Sequence, residues 1–389
     1  MKSRFTSVIM FLIIITIMVA MFLLGYITYN QLSKRFNSDT SETVEQAELF
    51  KTTETETETE IPDTIEKNIE VPKVRSASNP LTELEQSNKN NSKDTDVNYD
   101  NITVNKYFYN QLNQYSQNMY KALESNKENM KSGNYRINLG STFTDVLSNS
   151  NGQEILGDYY QSAIEAYIYD NPDVFYLNPS KMYLNIETTT RGSKKTYNTF
   201  IDCGEDGNYF IDEFSSKAEV ENAIQKLEYI KNRIVSQKTS NTYNNIKMVH
   251  DYLVDNISYD SSVSKGNIYN IYGALVNNEC VCEGYAKSFK YLLDGLGIES
   301  TIVIGKATNS SGISENHAWN YVRVGNNWYA IDCTWDDPII IGGGYAGSDI
   351  KYKYFLKGSS TMNLDHFPSG SFTERGITFE YPSLSNSAY

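Results

Sequence analysis

Hydrophobic positions follow three regimes along this 389-residue chain. The first is an apolar run without a charge over residues 8–27, preceded by Lys2 and Arg4. At about 1.5 Å per residue, such a run makes a helix of about 30 Å, the thickness of a bilayer's hydrocarbon core. A secretory signal has a shorter apolar core and a small-residue cleavage site. Here the polar, bulky Gln31-Leu32-Ser33-Lys34-Arg35 follows instead, which predicts an uncleaved membrane anchor within residues 1–36. Lys34 and Arg35 nearly balance Lys2, Arg4 and the terminal amine, so charge alone sets no orientation. The acidic stretch that follows, and the lack of another such run, favour an extracytoplasmic position for the remainder.

The second regime, residues 37–100, is almost devoid of apolar pattern. Thr and Glu alternate over residues 53–60, and residues 88–96 are nearly all polar. Such a stretch cannot bury enough surface to offset its chain entropy and is read as a disordered acidic and polar linker.

Amphipathic order begins in the third regime. Phe108, Leu112, Tyr115, Met119 and Leu123 recur at helical spacing. Residues 155–169 read as a second helix, stopped by Asp170-Asn171-Pro172. Residues 182–186 and 197–201 read as short strands around Arg191-Gly192-Ser193. Ser216 and Glu219 form a capping-box candidate ahead of the stripe Val220, Ala223, Ile224, Leu227, Ile230 and Ile234. A further helix is predicted over residues 243–256. The division expected is an α+β accessory region over residues 101–238 and a catalytic domain over residues 239–389.

Composition narrows the function classes. Hydrophobic residues make up 40% of the chain and include 31 Tyr, enough for a real core. A net charge of −14 and a pI near 4.8 argue against nucleic acid as a partner. Cys203, Cys280, Cys282 and Cys333 are too few for a disulfide framework and match no zinc signature. Neither a metal nor a cofactor is expected.

Candidate chemistry concentrates in three late segments. Val281-Cys282-Glu283-Gly284-Tyr285-Ala286 opens an apolar stripe of Tyr285, Ala286, Phe289, Leu292, Leu293 and Leu296, with Gly297 as a helix C-cap. Cys282 therefore falls at a helix N-terminus, where the dipole and a nearby imidazolium favour thiolate over thiol. The bland alternative is a small buried residue. Cys280 could be a core thiol, a redox partner of Cys282 or the nucleophile itself.

Of the three histidines, His250 lies on the apolar face of its helix and reads as a core residue. His366 lies beside Asp365 in a turn-like tail. His317 stands at the start of a strand over residues 318–324, and a second strand over residues 328–332 returns after Gly325-Asn326-Asn327. A two-residue Gly325-Asn326 turn would pair Val324 with Asn327, which makes His317 and Asp332 diagonal neighbours on one face. A one-residue slip would separate them, and a plain solvent-facing hairpin is the alternative. Asp336 and Asp337, ahead of Pro338, read as structural turn residues.

Together and in order, the Cys282 segment, His317-Ala318-Trp319-Asn320 and Trp328-Tyr329-Ala330-Ile331-Asp332-Cys333-Thr334-Trp335-Asp336-Asp337-Pro338 resemble the transglutaminase-like superfamily of papain-fold cysteine enzymes. Met248-Val249-His250-Asp251-Tyr252-Leu253, and Tyr352-Lys353-Tyr354-Phe355-Leu356 near Asp365-His366, look like bacterial members. The resemblance implies an α+β fold in which a helix carrying the nucleophile packs on an antiparallel sheet. It makes Cys282 the nucleophile, His317 the general base and then acid, and Asp332 its orienter. Cys280 departs from the pattern, standing where relatives often carry a small residue.

The implied activity is thiol-dependent acyl transfer or hydrolysis on protein or peptide amides, outside the membrane. A cysteine endopeptidase or cell-wall peptide hydrolase uses the same triad, so the acceptor stays open. A non-catalytic binding module is the alternative from another class, and the intact Cys/His/Asp set counts against it.

Overall fold

The computed structural model describes residues 74–77, 99, 101–191, 193–260, 262, 265–337, 348–371 and 375–389. The expected anchor over residues 8–27 lies outside these. Among the described residues no helix is long and apolar enough to cross a membrane.

The first layer is a four-stranded sheet: β1 (Val74–Ala77), β2 (Ile137–Gly140), β3 (Tyr183–Arg191) and β4 (Lys194–Asp202), in the order β1-β3-β4-β2. β1 runs parallel to β3, and the other pairings are antiparallel. The stretch read as a disordered linker thus contains at least one strand, because Val74–Ala77 adds to an open sheet edge. β3 and β4 outrun their predicted lengths and pair from Tyr183↔Asp202 to Arg191↔Lys194. Their outer halves carry Thr188, Thr189, Thr190 and Thr196, whose branched side chains hold extended backbone without needing burial.

Helix Gln114–Ser125 packs on β2 and on helix Gly152–Asp170, whereas helix Lys217–Val235 packs on helices Ile271–Val276 and Cys282–Leu296. The stripe from Phe108 to Leu123 is not one helix. Leu112 is extended at ψ 149°, and a new helix starts after Asn113, whose side chain accepts the Ser116 N–H. An asparagine cap overrides the periodicity there. Ser216 caps the Lys217–Val235 helix by accepting the Glu219 N–H at 3.3 Å, while the Glu219 carboxylate reaches back to the Ser215 N–H at 2.8 Å.

The second layer holds the candidate site. Helix Thr242–Asn256 leads into β5 (Ser258–Tyr259), which pairs in parallel with β6 (Glu279–Cys280). Helix Cys282–Leu296 follows, closed by Gly297 at φ 71° as the sequence predicts. Then come β7 (Ser300–Thr308), β8 (Ser314–Val324), β9 (Asn327–Ile331) and β10 (His366–Pro368), in the antiparallel order β10-β7-β8-β9. The Cys282–Leu296 helix packs on β7 and β8, and the Asn320 side-chain N–H donates to the Ala286 carbonyl at 2.9 Å. Here the α+β arrangement expected from the resemblance is realised. One buried cluster runs through residues of both layers, from Phe108 and Tyr167 to Phe289 and Ile331.

Candidate active site

Cys282 is the first residue of its helix, and Val281 before it is extended and offers no side-chain cap. The first-turn N–H groups therefore have no side-chain acceptor, and their partial positive charge falls on the thiol. Glycine at 284 is a packing requirement: a Cβ there would sit 2.4 Å from the Cys280 Cβ and 2.7 Å from the Ile268 carbonyl oxygen. The helix start can approach β6 only without a side chain. Cys282 alone of the four free cysteines is partly exposed. Cys280 is fully buried in β6, and burial pushes its thiol well above the ordinary range. That places it as a core thiol.

His317 lies within β8, three residues past a strand start earlier than predicted. The hairpin adopts the anticipated register, with Val324 opposite Asn327 and Asn320 opposite Ile331. Asp332 falls one residue beyond β9 instead of inside it, still on the His317 face. The His317 Nε2 meets Asp332 Oδ2 at 2.7 Å. This leaves Nδ1 as the ring nitrogen available to Cys282, whose side chain acts on the imidazole together with Asp332. Burial works against a charged His317, but Asp332 and Cys282 outweigh it and push the imidazole up to about 10.

Asp332 is fully buried and saturated. Its Oδ1 accepts the backbone N–H groups of Thr334 at 2.9 Å and Trp335 at 3.2 Å. Its Oδ2 serves His317 and, at 3.0 Å, His366 Nε2. Burial alone would raise this carboxyl, yet the two histidines hold it well below the usual carboxylate range.

His366 is the residue that sequence reasoning missed. It lies in β10, 1% exposed, and not in the turn-like tail expected. The available signal was Asp365-His366 itself, already noted as family-like. Asp336 ends a turn, as expected of a structural turn residue, and Asp337 follows it. Both are fully buried: Asp336 meets His250 Nε2 at 3.0 Å and accepts the Tyr354 N–H at 2.7 Å, while Asp337 accepts the Tyr285 hydroxyl at 2.5 Å.

Donor atoms of His317, Asp332 and His366 lie within 4.8 Å of one another. Hydrogen bonds among them account for that closeness, so the set is read as a hydrogen-bonded cluster and not as metal ligands. A cleft of about 600 Å³ is lined by residues that include Phe175, Tyr269, Glu283 and Lys287. Glu283 follows Cys282 directly and pairs with Lys287 at 2.5 Å, so the cleft reaches the helix turn that carries the thiol.

Residues 228–333 match the model of the transglutaminase-like superfamily core, a span that includes Cys282, His317 and Asp332. The chain carries a transglutaminase-like domain. No curated protein matches it. Among solved structures it is similar to one described as a TGase, at 15% identity and a TM-score of 0.28, covering 46% of this chain and 50% of that one. It is also similar to a putative cysteine protease from Cytophaga hutchinsonii, at 16% identity and a TM-score of 0.24, covering 39% and 62%. A third is the periplasmic domain of TgpA from Pseudomonas aeruginosa bound to ethylmercury, at 13% identity and a TM-score of 0.23, covering 36% and 56%. The matched parts thus span between 50% and 62% of those chains.

Proposed function

We propose that this chain catalyses thiol-dependent acyl transfer or hydrolysis on protein or peptide amides, with Cys282 as nucleophile, His317 as base and then acid, and Asp332 as orienter. One observation carries the reading: Asp332 holds Nε2 of the buried His317 ring at 2.7 Å, and the same imidazole feels the sulfur of Cys282 at a helix start. The sulfur attacks the amide carbonyl carbon, and protonated His317 gives its proton to the departing amine as the C–N bond breaks. A thioester remains on Cys282. Water or a second amine then attacks that carbonyl, loses its proton to His317 and releases the thiol. The Cys282 backbone N–H at the helix start is one donor for the oxyanion.

The cleft beside Glu283 is the approach for a protein or peptide segment, cell-wall peptides included. In this reading residues 8–27 anchor the chain and the domain works outside the membrane. External protease should then cut the Thr/Glu stretch on intact cells, and protection of that stretch would reverse the orientation.

The test of the activity offers the full chain a glutamine-containing protein with a labelled primary amine, varying calcium and reductant. Amine incorporation that disappears in Cys282→Ala supports acyl transfer. New protein termini without incorporation identify a peptidase, and neither product under any condition rejects the catalytic reading.

A further inference from the structure

The triad-type reading leaves without a task a buried histidine that touches the site. His366 sits on β10 opposite Ala307 of β7, while His317 on β8 lies opposite Gly305 of the same strand. Residues two apart on β7 share a face, so both rings project to the same side of the sheet. Their centroids are 5.7 Å apart, and both Nε2 atoms converge on Oδ2 of Asp332. On its far side His366 Nδ1 meets Asp365 Oδ1 at 2.7 Å, and the Tyr354 hydroxyl donates to Asp365 Oδ2 at 2.7 Å.

We propose that His366 is a positioning residue of the thiol site, a second donor that pins the Asp332 carboxylate so that Oδ2 stays aimed at His317. The inference rests on the roles given above to Cys282, His317 and Asp332. Two backbone donors fix Oδ1, but those bonds leave the carboxylate free to tilt about them. His366 supplies the remaining constraint on Oδ2. It is itself locked, by Asp365 behind it and by Trp319, Trp335 and Tyr354 around the ring at 5.0, 4.7 and 5.0 Å. Each His366 nitrogen faces a carboxylate oxygen, Asp332 Oδ2 on one side and Asp365 Oδ1 on the other, so the ring is held at both ends. The charged or titratable groups facing the ring are Asp332 after β9, Asp365 on its own segment, His317 on β8 and the Tyr354 phenol.

The competing role is packing in an aromatic box, and two substitutions separate the roles. His366→Phe fills the box and removes both donors; His366→Gln fills it less well and keeps one. The probe is iodoacetate, an anionic alkylating agent whose attack on Cys282 is favoured by a protonated His317, read by peptide mass on the full chain across pH. In His366→Phe, Cys282 carboxymethylation should slow about thirtyfold, the factor that a lost charge-assisted hydrogen bond commands. His366→Gln should fall between the variant and the wild-type chain.

Wild-type rates in His366→Phe, or a faster Phe than Gln variant, would make His366 a packing residue and overturn the proposal. If neither variant folds, Asp365→Asn should slow labelling about threefold through the weakened hold on His366, and an unchanged rate there also overturns it. Labelling of wild-type Cys282 no faster than free cysteine would instead reject the thiol site, and this inference with it.

Discussion

Two of the molecule's buried His–Asp pairs share nearly the same core geometry in different surroundings. His317 and Asp332 meet at 2.7 Å, His250 and Asp336 at 3.0 Å, and all four side chains are at most 8% exposed. The His250 ring is closed on its other side by Asp251 at 3.1 Å and packed against Tyr352 and Phe355. The free side of His317 instead faces a thiol at a helix start. A buried imidazole–carboxylate pair is therefore not by itself a catalytic device. What differs is whether the second ring nitrogen is spent on another carboxylate or left for a reacting atom.

The sharpest way to break this comparison is to neutralise each aspartate in turn. Asp332→Asn should lower turnover by about 10⁴, as for triads whose orienter is lost, whereas Asp336→Asn should leave turnover within about tenfold. Steady-state kinetics on both variants decide it, and the reverse ranking would exchange the roles of the pairs. Stability should show the opposite emphasis. Asp336→Asn removes a buried partner of His250 and the acceptor of the Tyr354 N–H, at a cost of about 3 kcal/mol in denaturant unfolding.

Alkaline pH gives a smaller, graded contrast. The folded value of His317, about 10, lies above the ordinary 6.5. Its contribution to stability is therefore fully present below about 6.5 and fades as pH rises through about 10. His250 is raised too, with burial opposing and Asp251 and Asp336 prevailing, so its contribution has the same sign. The melting temperature should fall across this window, and His317→Ala should flatten the fall. The smallest effect belongs to the hairpin. Gly325 has φ 63° with open space where a Cβ would go, so Gly325→Ala should cost about 1 kcal/mol in thermal unfolding through strain alone and leave the Val324–Asn327 register intact.

The pair that faces the thiol was legible because its determinants are local. Gly325-Asn326 fixes a register that carries His317 and Asp332 to one face, and the apolar stripe from Tyr285 to Leu296 fixes the helix behind Cys282. His366 escaped because its place depends on a three-residue strand pairing with β7 and on a partner 34 residues upstream. Neither leaves a periodic signal. The burial of Asp336 against His250 was hidden for the same reason, since the two lie 86 residues apart. The stripe from Phe108 to Leu123 misled in the other direction, since correct spacing concealed the break that Asn113 imposes.

The most direct measurement of the central claim is site-resolved alkylation of the four cysteines in the intact chain by iodoacetamide at mildly acidic pH, where an ordinary thiol is almost unreactive. The account predicts that Cys282 is modified at least about a hundredfold faster than free cysteine, that Cys203, Cys280 and Cys333 remain unmodified, and that Asp332→Asn removes the advantage of Cys282. Labelling of Cys282 at the rate of free cysteine, or an undiminished rate in Asp332→Asn, would contradict it.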